Sequence, residues 1–330
     1  MFKMALLGCG RIGKMHANII NSSGVGTLAA VYDVYQPAAQ ELADKYGCLC
    51  APTVEEAIAA ADGVLIATST PTHADLIELA VKAGKAVFCE KPIDLSIERV
   101  RSAQAAIGDR AEMVQIGFNR RFDPGHRAAR IALQNGDIGE LQQVIISSRD
   151  PGPPPIDYVK ISGGIFRDMT IHDFDLARYM LGEDPVEVFA TGSVLVDKAI
   201  GDCQDQDTIM IIMRTASGKQ CHINNCRAAS YGYDQRVELF GTKGMVISDN
   251  LTPNNLRRFN KTETQAAPPL LDFYIERYHQ AYAASLKSFI QSAIDKTAPE
   301  VNFIDGQKAL ALAEAAIISL KEKRFVSVNY

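Results

Sequence analysis

The sequence predicts two unlike units in succession: a doubly wound parallel α/β unit over residues 1–120 and an α+β unit with an antiparallel sheet over residues 121–330. Two patterns carry this. Up to about Phe118, short and uniformly apolar runs alternate with helical periodicity, which is the signature of a parallel sheet covered on both faces. Beyond it, apolar runs that alternate or are parted by glycine turns indicate hairpins. A length of 330 residues, 47% hydrophobic and 22% charged, supports two cores and excludes a disordered or disulfide-stapled chain.

The first unit opens with the apolar run Met4 to Leu7, then Gly8-Cys9-Gly10-Arg11-Ile12-Gly13, then a helical pattern from Ile12 to about Asn21. A second apolar run, Leu28 to Tyr32, ends at Asp33, about 20 residues beyond Gly13, the offset of an acid that holds a ribose. Each position has its own reason. Gly8 permits a tight turn, Gly10 lets backbone N–H groups approach a pyrophosphate, and Gly13 allows close helix–strand packing. The helix beginning at Arg11 and Ile12 then offers unpaired N–H donors to phosphate. Asp33 would accept both ribose hydroxyls and repel a 2′-phosphate, and Val34, Tyr35 and Gln36 supply no arginine to bind one, so NAD is favoured over NADP. The plainer alternative is that the glycines only turn the chain and Asp33 caps a helix.

The alternation continues through a helix at Glu55 to Ala60, a strand at Gly63 to Ala67, a helix at His73 to Ala83, a strand at Ala86 to Cys89, a helix at Ser96 to Ala106 and a strand within Met113 to Phe118. Ligands of such sheets bind beyond the carboxyl ends of the strands. That rule selects Thr68, Ser69, Thr70 and His73 after one strand, Glu90 and Lys91 after the next, and Asn119 and Arg120 after the last. Glu90-Lys91-Pro92 could equally be a plain turn, and Asn119 and Arg120 could only cap a strand end.

In the second unit a helix is expected over Asp123 to Gln134 and strands over Val144–Ser148, Val186–Val196, Asp207–Arg214, Gln220–Asn225, Gln235–Phe240 and Met245–Ser248. Two long helices, Tyr274–Asp295 and Ile304–Lys321, close the chain. Asp150 to Pro155 is too rich in proline for a regular element. Read as one helix from about Asp168, the segment beyond Gly163-Gly164 sets Asp168, His172, Asp175 and Tyr179 on one stripe flanked by apolar residues. An aspartate one turn before a histidine can orient the imidazole or bind the same ligand; on an open surface it would only stabilise the helix.

Lysine and arginine total 34 against 39 aspartate and glutamate, a net charge of -5, so no positive field invites nucleic acid or an anionic membrane. The seven cysteines show neither CxxC pairing nor zinc-ligand spacing and suit a reducing compartment. The apolar start, Phe2 to Leu7, is shorter than a signal-peptide core, and no run reaches the ~18 residues of a spanning helix. A cytoplasmic protein without a metal site is expected.

Taken together, the glycine turn, Glu90-Lys91-Pro92 and the Gly-Gly…Asp168-xxx-His172 segment resemble the Gfo/Idh/MocA oxidoreductases over the whole chain. The run Ser162 to Asp175, with Tyr231 to Gln235 beyond it, is similar to bacterial inositol 2-dehydrogenases within that family. The resemblance implies a Rossmann domain followed by an open-faced sheet domain, commonly a homotetramer through that sheet. It matches Lys91 to the catalytic lysine, Asp168 and His172 to the acid–histidine pair, and Tyr231 to a substrate-binding tyrosine. The prolines of 150–155 have no clear counterpart, which leaves the ring specificity open.

Oxidising a secondary alcohol needs a base and a bound nicotinamide. A histidine of ordinary pKa, ~6.5, suits the base at His172, while a lysine ammonium at Lys91 suits holding the reacting oxygen. The expectation is oxidation of a cyclic polyol, myo-inositol to its 2-keto form. The alternatives are another sugar or polyol, an acidic sugar held by Arg120, Arg121 or Arg167, and a non-catalytic NAD(H) sensor.

Overall fold

The computed structural model describes residues 1–330. The chain divides into one unit of Met1–Asn119 with Ala281–Leu310, and another of Arg120–Gln280 with Ala311–Tyr330. This differs from the division expected at residue 120, because one late segment returns to the first unit.

The first unit holds six parallel strands: β1 (Phe2–Leu7), β2 (Gly26–Tyr32), β3 (Leu49–Cys50), β4 (Gly63–Ile66), β5 (Ala86–Cys89) and β6 (Val114–Ile116), in the order β3-β2-β1-β4-β5-β6. The order reverses at β1, between β2 and β4, the switch point beyond whose carboxyl ends such sheets bind ligands. Met4 to Leu7 and Val64 to Ile66 are wholly buried, as strands covered on two faces require. The two-residue β3 carries no readable pattern and escaped the sequence reading. The long closing helix expected from Tyr274 is broken at Tyr278 into Tyr274–Arg277 and His279–Asp295. The part that belongs to this unit sets the Phe289 ring edge-on to Phe88 at 5.7 Å between centroids and buries Ile290 completely. Burial of this kind is worth ~1.5–3 kcal/mol per side chain.

The second unit holds β7 (Leu141–Arg149), β8 (Pro185–Ser193), β9 (Thr208–Thr215), β10 (Gln220–Cys226), β11 (Asp234–Gly241), β12 (Gly244–Ser248) and β13 (Val326–Ser327), in the order β12-β11-β7-β10-β9-β8-β13. All pairs are antiparallel except β10 with β7, which run parallel. One face is apolar and packed, with Ile209, Ile211, Met213, Ile223, Val144, Ile146, Val237 and Leu239 buried, under the helices Pro124–Gln134 and Ile171–Leu181. The opposite face carries Met210, Ile212, Phe240, Met245 and Ile247, all exposed.

The helix expected from Asp168 is interrupted. Gly164–Asp168 is one short helix, and Ile171–Leu181 begins afresh after Met169 and Thr170. The hydroxyl of Thr170 donates to Asn225 Oδ1 at 2.7 Å, a demand made by β10 that periodicity does not reveal.

Candidate active site

In the first unit the glycine turn closes β1. Gly8 has φ +96°, and a Cβ there would lie 2.5 Å from the Ala67 carbonyl oxygen, while one at Gly13 would lie 1.9 Å from that of Gly8. Both glycines are demanded by the protein's own packing. Gly10 is different: a Cβ would meet nothing within 4 Å, and its φ of -72° suits any residue. Space kept clear at a helix N-terminus that bears neither a side-chain cap nor an acid in its first turn fits a diphosphate. Arg11 and Ile12 follow as the first helical residues.

Asp33 ends β2, with Oδ2 accepting from the Cys9 N–H at 2.7 Å and Oδ1 from the Tyr35 N–H at 2.8 Å. The carboxylate braces the glycine turn and keeps further lone pairs for ribose hydroxyls. Burial, with Asp33 next in effect, pushes the Cys9 thiol up to about 12, so it stays neutral. Thr68, Ser69 and Thr70 follow β4, with the Thr68 and Thr72 hydroxyls 2.7 Å apart. Asn119, nearly fully buried, leaves Nδ2 without a hydrogen-bond partner, an orphaned donor that an acceptor on a bound cofactor would satisfy. These features together fit an NAD-type dinucleotide.

Three residues selected by the strand-end rule are occupied by the protein itself. Both ring nitrogens of His73 face backbone carbonyls, so it braces loops instead of presenting a free ring to a cofactor. Glu90 Oε1 lies 2.7 Å from Nε2 of the buried His16. Arg120, buried in the second unit, is committed to Asp173 and to Ser148 Oγ, the latter at 3.1 Å. An alternating or terminal position in sequence cannot report a partner 53 residues away. Lys91, between Glu90 and Pro92, is half-buried in the turn just after β5.

The second unit gathers a separate polar cluster. Asp168 Oδ1 accepts from the Tyr158 hydroxyl at 2.8 Å, and Oδ2 from Arg227 at 3.3 Å. Arg227, almost wholly buried, also reaches Asp205 at 3.4 Å. His172 is the second residue of Ile171–Leu181 and half-buried. Asp175, expected on the same stripe, instead accepts from Arg121 Nε at 2.8 Å in a buried ion pair. The break at Met169 and Thr170 removes the single stripe on which that grouping rested.

Asp150, at the head of the proline-rich loop, carries more than a loop's chemistry. Burial pushes its carboxyl up to about 6, with Arg227 and Arg120 opposing and Asp168 and Asp173 adding to the rise. Its place just after β7 is the signal that the sequence offers for it. Tyr231, half exposed, donates to Asp234 Oδ2 at 2.6 Å and accepts from Arg149 at 2.7 Å. Burial of Asp234 raises its pKa, but hydrogen bonds from Arg236, Tyr231 and Asn250 outweigh this and bring it to about 2.

Two family models match: the oxidoreductase family with an NAD-binding Rossmann fold over residues 2–118, and the GFO/IDH/MocA C-terminal domain over residues 126–247. The chain belongs to the GFO/IDH/MocA oxidoreductases. Among GFO/IDH/MocA proteins, it is 51% identical to the inositol 2-dehydrogenase of Rhizobium meliloti, with 99% of each chain covered. It is 41% identical to the myo-inositol 2-dehydrogenase of Thermotoga maritima, over 99% of this chain and 98% of that one. The crystal structure of a myo-inositol dehydrogenase from Corynebacterium glutamicum superposes with a TM-score of 0.97 at 43% identity, covering 100% of this chain and 99% of that one. As a GFO/IDH/MocA oxidoreductase it uses NAD.

Proposed function

We propose that this oxidoreductase takes a cyclic polyol as substrate and oxidises one secondary hydroxyl, myo-inositol to its 2-keto form. The names of the full-length relatives support the substrate. The structural observation that carries it is the fixed carboxylate of Asp168, held by Tyr158 and Arg227 four residues before His172. A carboxylate anchored on both oxygens can still accept a ring hydroxyl, and a half-buried imidazole can take a hydroxyl proton.

NAD, when bound, would supply the hydride acceptor for the carbinol carbon. Gly8, Gly10, Arg11, Ile12, Gly13 and Asp33 would hold its diphosphate and ribose, with Thr68, Ser69, Thr70 and Asn119 along the strand ends. Lys91 holds the reacting oxygen as an ammonium and stabilises the negative charge that develops there. His172 accepts the hydroxyl proton, and Asp168 and Tyr231 fix adjacent hydroxyls.

Assembly and location form part of the same reading. The apolar open face of the second sheet suits a second copy of the chain, giving a homotetramer that covers it. Seven free thiols fit a cytoplasmic setting, and no helix is long and apolar enough to cross a membrane. The test is absorbance of reduced nicotinamide with NAD and a panel of inositols, aldoses and acidic sugars. Turnover on myo-inositol is expected; silence across the panel with cofactor still bound would favour a sensor, and faster turnover of an acidic sugar would overturn the neutral substrate.

A further inference from the structure

One buried histidine stands between the loop after β4 and the turn after β5. His73, 1% exposed, begins the helix His73–Lys82. Its Nδ1 lies 2.7 Å from the carbonyl oxygen of Pro92, and its Nε2 lies 3.1 Å from that of Thr68. Both partners only accept, so a bond to either needs an N–H of the ring. The contact to Pro92 is the shorter.

Pro92 is buried, as is Ile93 after it, so the Pro92 carbonyl requires a donor from within the protein. Lys91 immediately precedes it. An ammonium on a flexible four-carbon stem is aimed first by the backbone that carries it.

We propose that His73 is a positioning residue for the oxidation, its Nδ1–H bond to the Pro92 carbonyl fixing the turn that carries Lys91. This rests on the reading of Lys91 as the group that holds the reacting oxygen. The bond crosses from the start of a helix to the turn that follows β5, so it sets the backbone of Lys91 without touching substrate. The Nε2 contact, on the Thr68 carbonyl, is the longer and subordinate one.

The two nitrogens can be separated by substitution. In His73→Asn the side-chain amide nitrogen stands near the place of Nδ1 and can keep the Pro92 bond; in His73→Gln it stands near the place of Nε2 and can serve only Thr68. A displacement of ~1 Å in a reacting group can cost about 10²-fold, so His73→Gln is expected to lose at least about tenfold in kcat while His73→Asn stays within about threefold of the parent. NAD affinity, read by fluorescence titration, and the KM for myo-inositol are expected to hold in both variants. A merely structural histidine would lower the melting temperature of both variants and leave their kcat values alike; equal kcat therefore overturns the proposal. Lys91→Met, measured alongside, separates the two levels. Loss of turnover in Lys91→Met with equal kcat for the His73 pair removes only the role of His73, whereas full turnover in Lys91→Met removes the reading of Lys91 and the proposal with it.

Discussion

Arg120 and Asp173 form an ion pair with only 5% and 0% of their side chains exposed. Ser148 and Asn225 complete it, the one accepting from Arg120 at 3.1 Å and the other donating to Asp173 at 2.8 Å. Four elements of the second unit are thereby tied through one buried charge pair. Removing one partner of such a pair leaves an uncompensated charge and typically costs 3–5 kcal/mol. Asp173→Ala is expected to lose about that much in denaturant unfolding, while a double replacement by apolar residues of similar volume should recover most of the loss.

Gly10 and Gly13 are expected to respond oppositely to alanine. Gly13→Ala drives a methyl into the Gly8 carbonyl and should unfold or markedly destabilise the first unit. Gly10→Ala meets open space, so its melting temperature should stay near that of the parent, helix-cap preference accounting for up to ~1 kcal/mol. Its NAD affinity should fall, because the methyl takes the room of the diphosphate. Calorimetry and cofactor titration on the two variants check the contrast; retained affinity in Gly10→Ala would count against the phosphate assignment.

His172→Ala is expected to lower kcat on the ~10²–10⁴-fold scale of general base catalysis, with NAD affinity within about threefold of the parent. Steady-state kinetics beside a cofactor titration measure both. Loss of NAD binding in that variant would contradict its role as proton acceptor.

Asp234 and Asp150 give stability profiles of opposite sign. The Asp234 pKa falls from 3.8 to about 2 in the folded protein, so its contribution is present above pH ~4 and is lost as pH drops towards 2. The Asp150 pKa rises from 3.8 to about 6, so its folded state is favoured most below pH ~4 and loses that advantage as pH climbs through 6. Urea unfolding across pH 2–8 should show Asp234→Asn flattening the acid limb, and Asp150→Asn gaining stability relative to the parent between pH 4 and 6.

What was legible in the sequence follows the range of the forces involved. Gly8, Gly13 and Asp33 answer to backbone demands within one strand–turn–helix–strand segment, and all three stand out in the chain itself. The Asp168–His172 spacing read as a continuous turn, but Thr170 is held by Asn225 across the sheet, and the helix restarts there. Arg120 and His73 looked ligand-facing because each follows a strand; their partners Asp173 and Pro92 come from other elements. Asp150 owes its raised pKa first to burial, with Asp168 adding and Arg227 opposing, and its place just after β7 is the one local mark it carries.

The return of Ala281–Leu310 to the first unit has a consequence for how such a protein can be cut and recombined. A fragment ending at Asn119 would strip Phe289 from Phe88 and bare that flank of the nucleotide fold, inviting aggregation. Grafting a different cofactor preference onto this scaffold therefore means transplanting two stretches of gene together, or editing in place around Asp33.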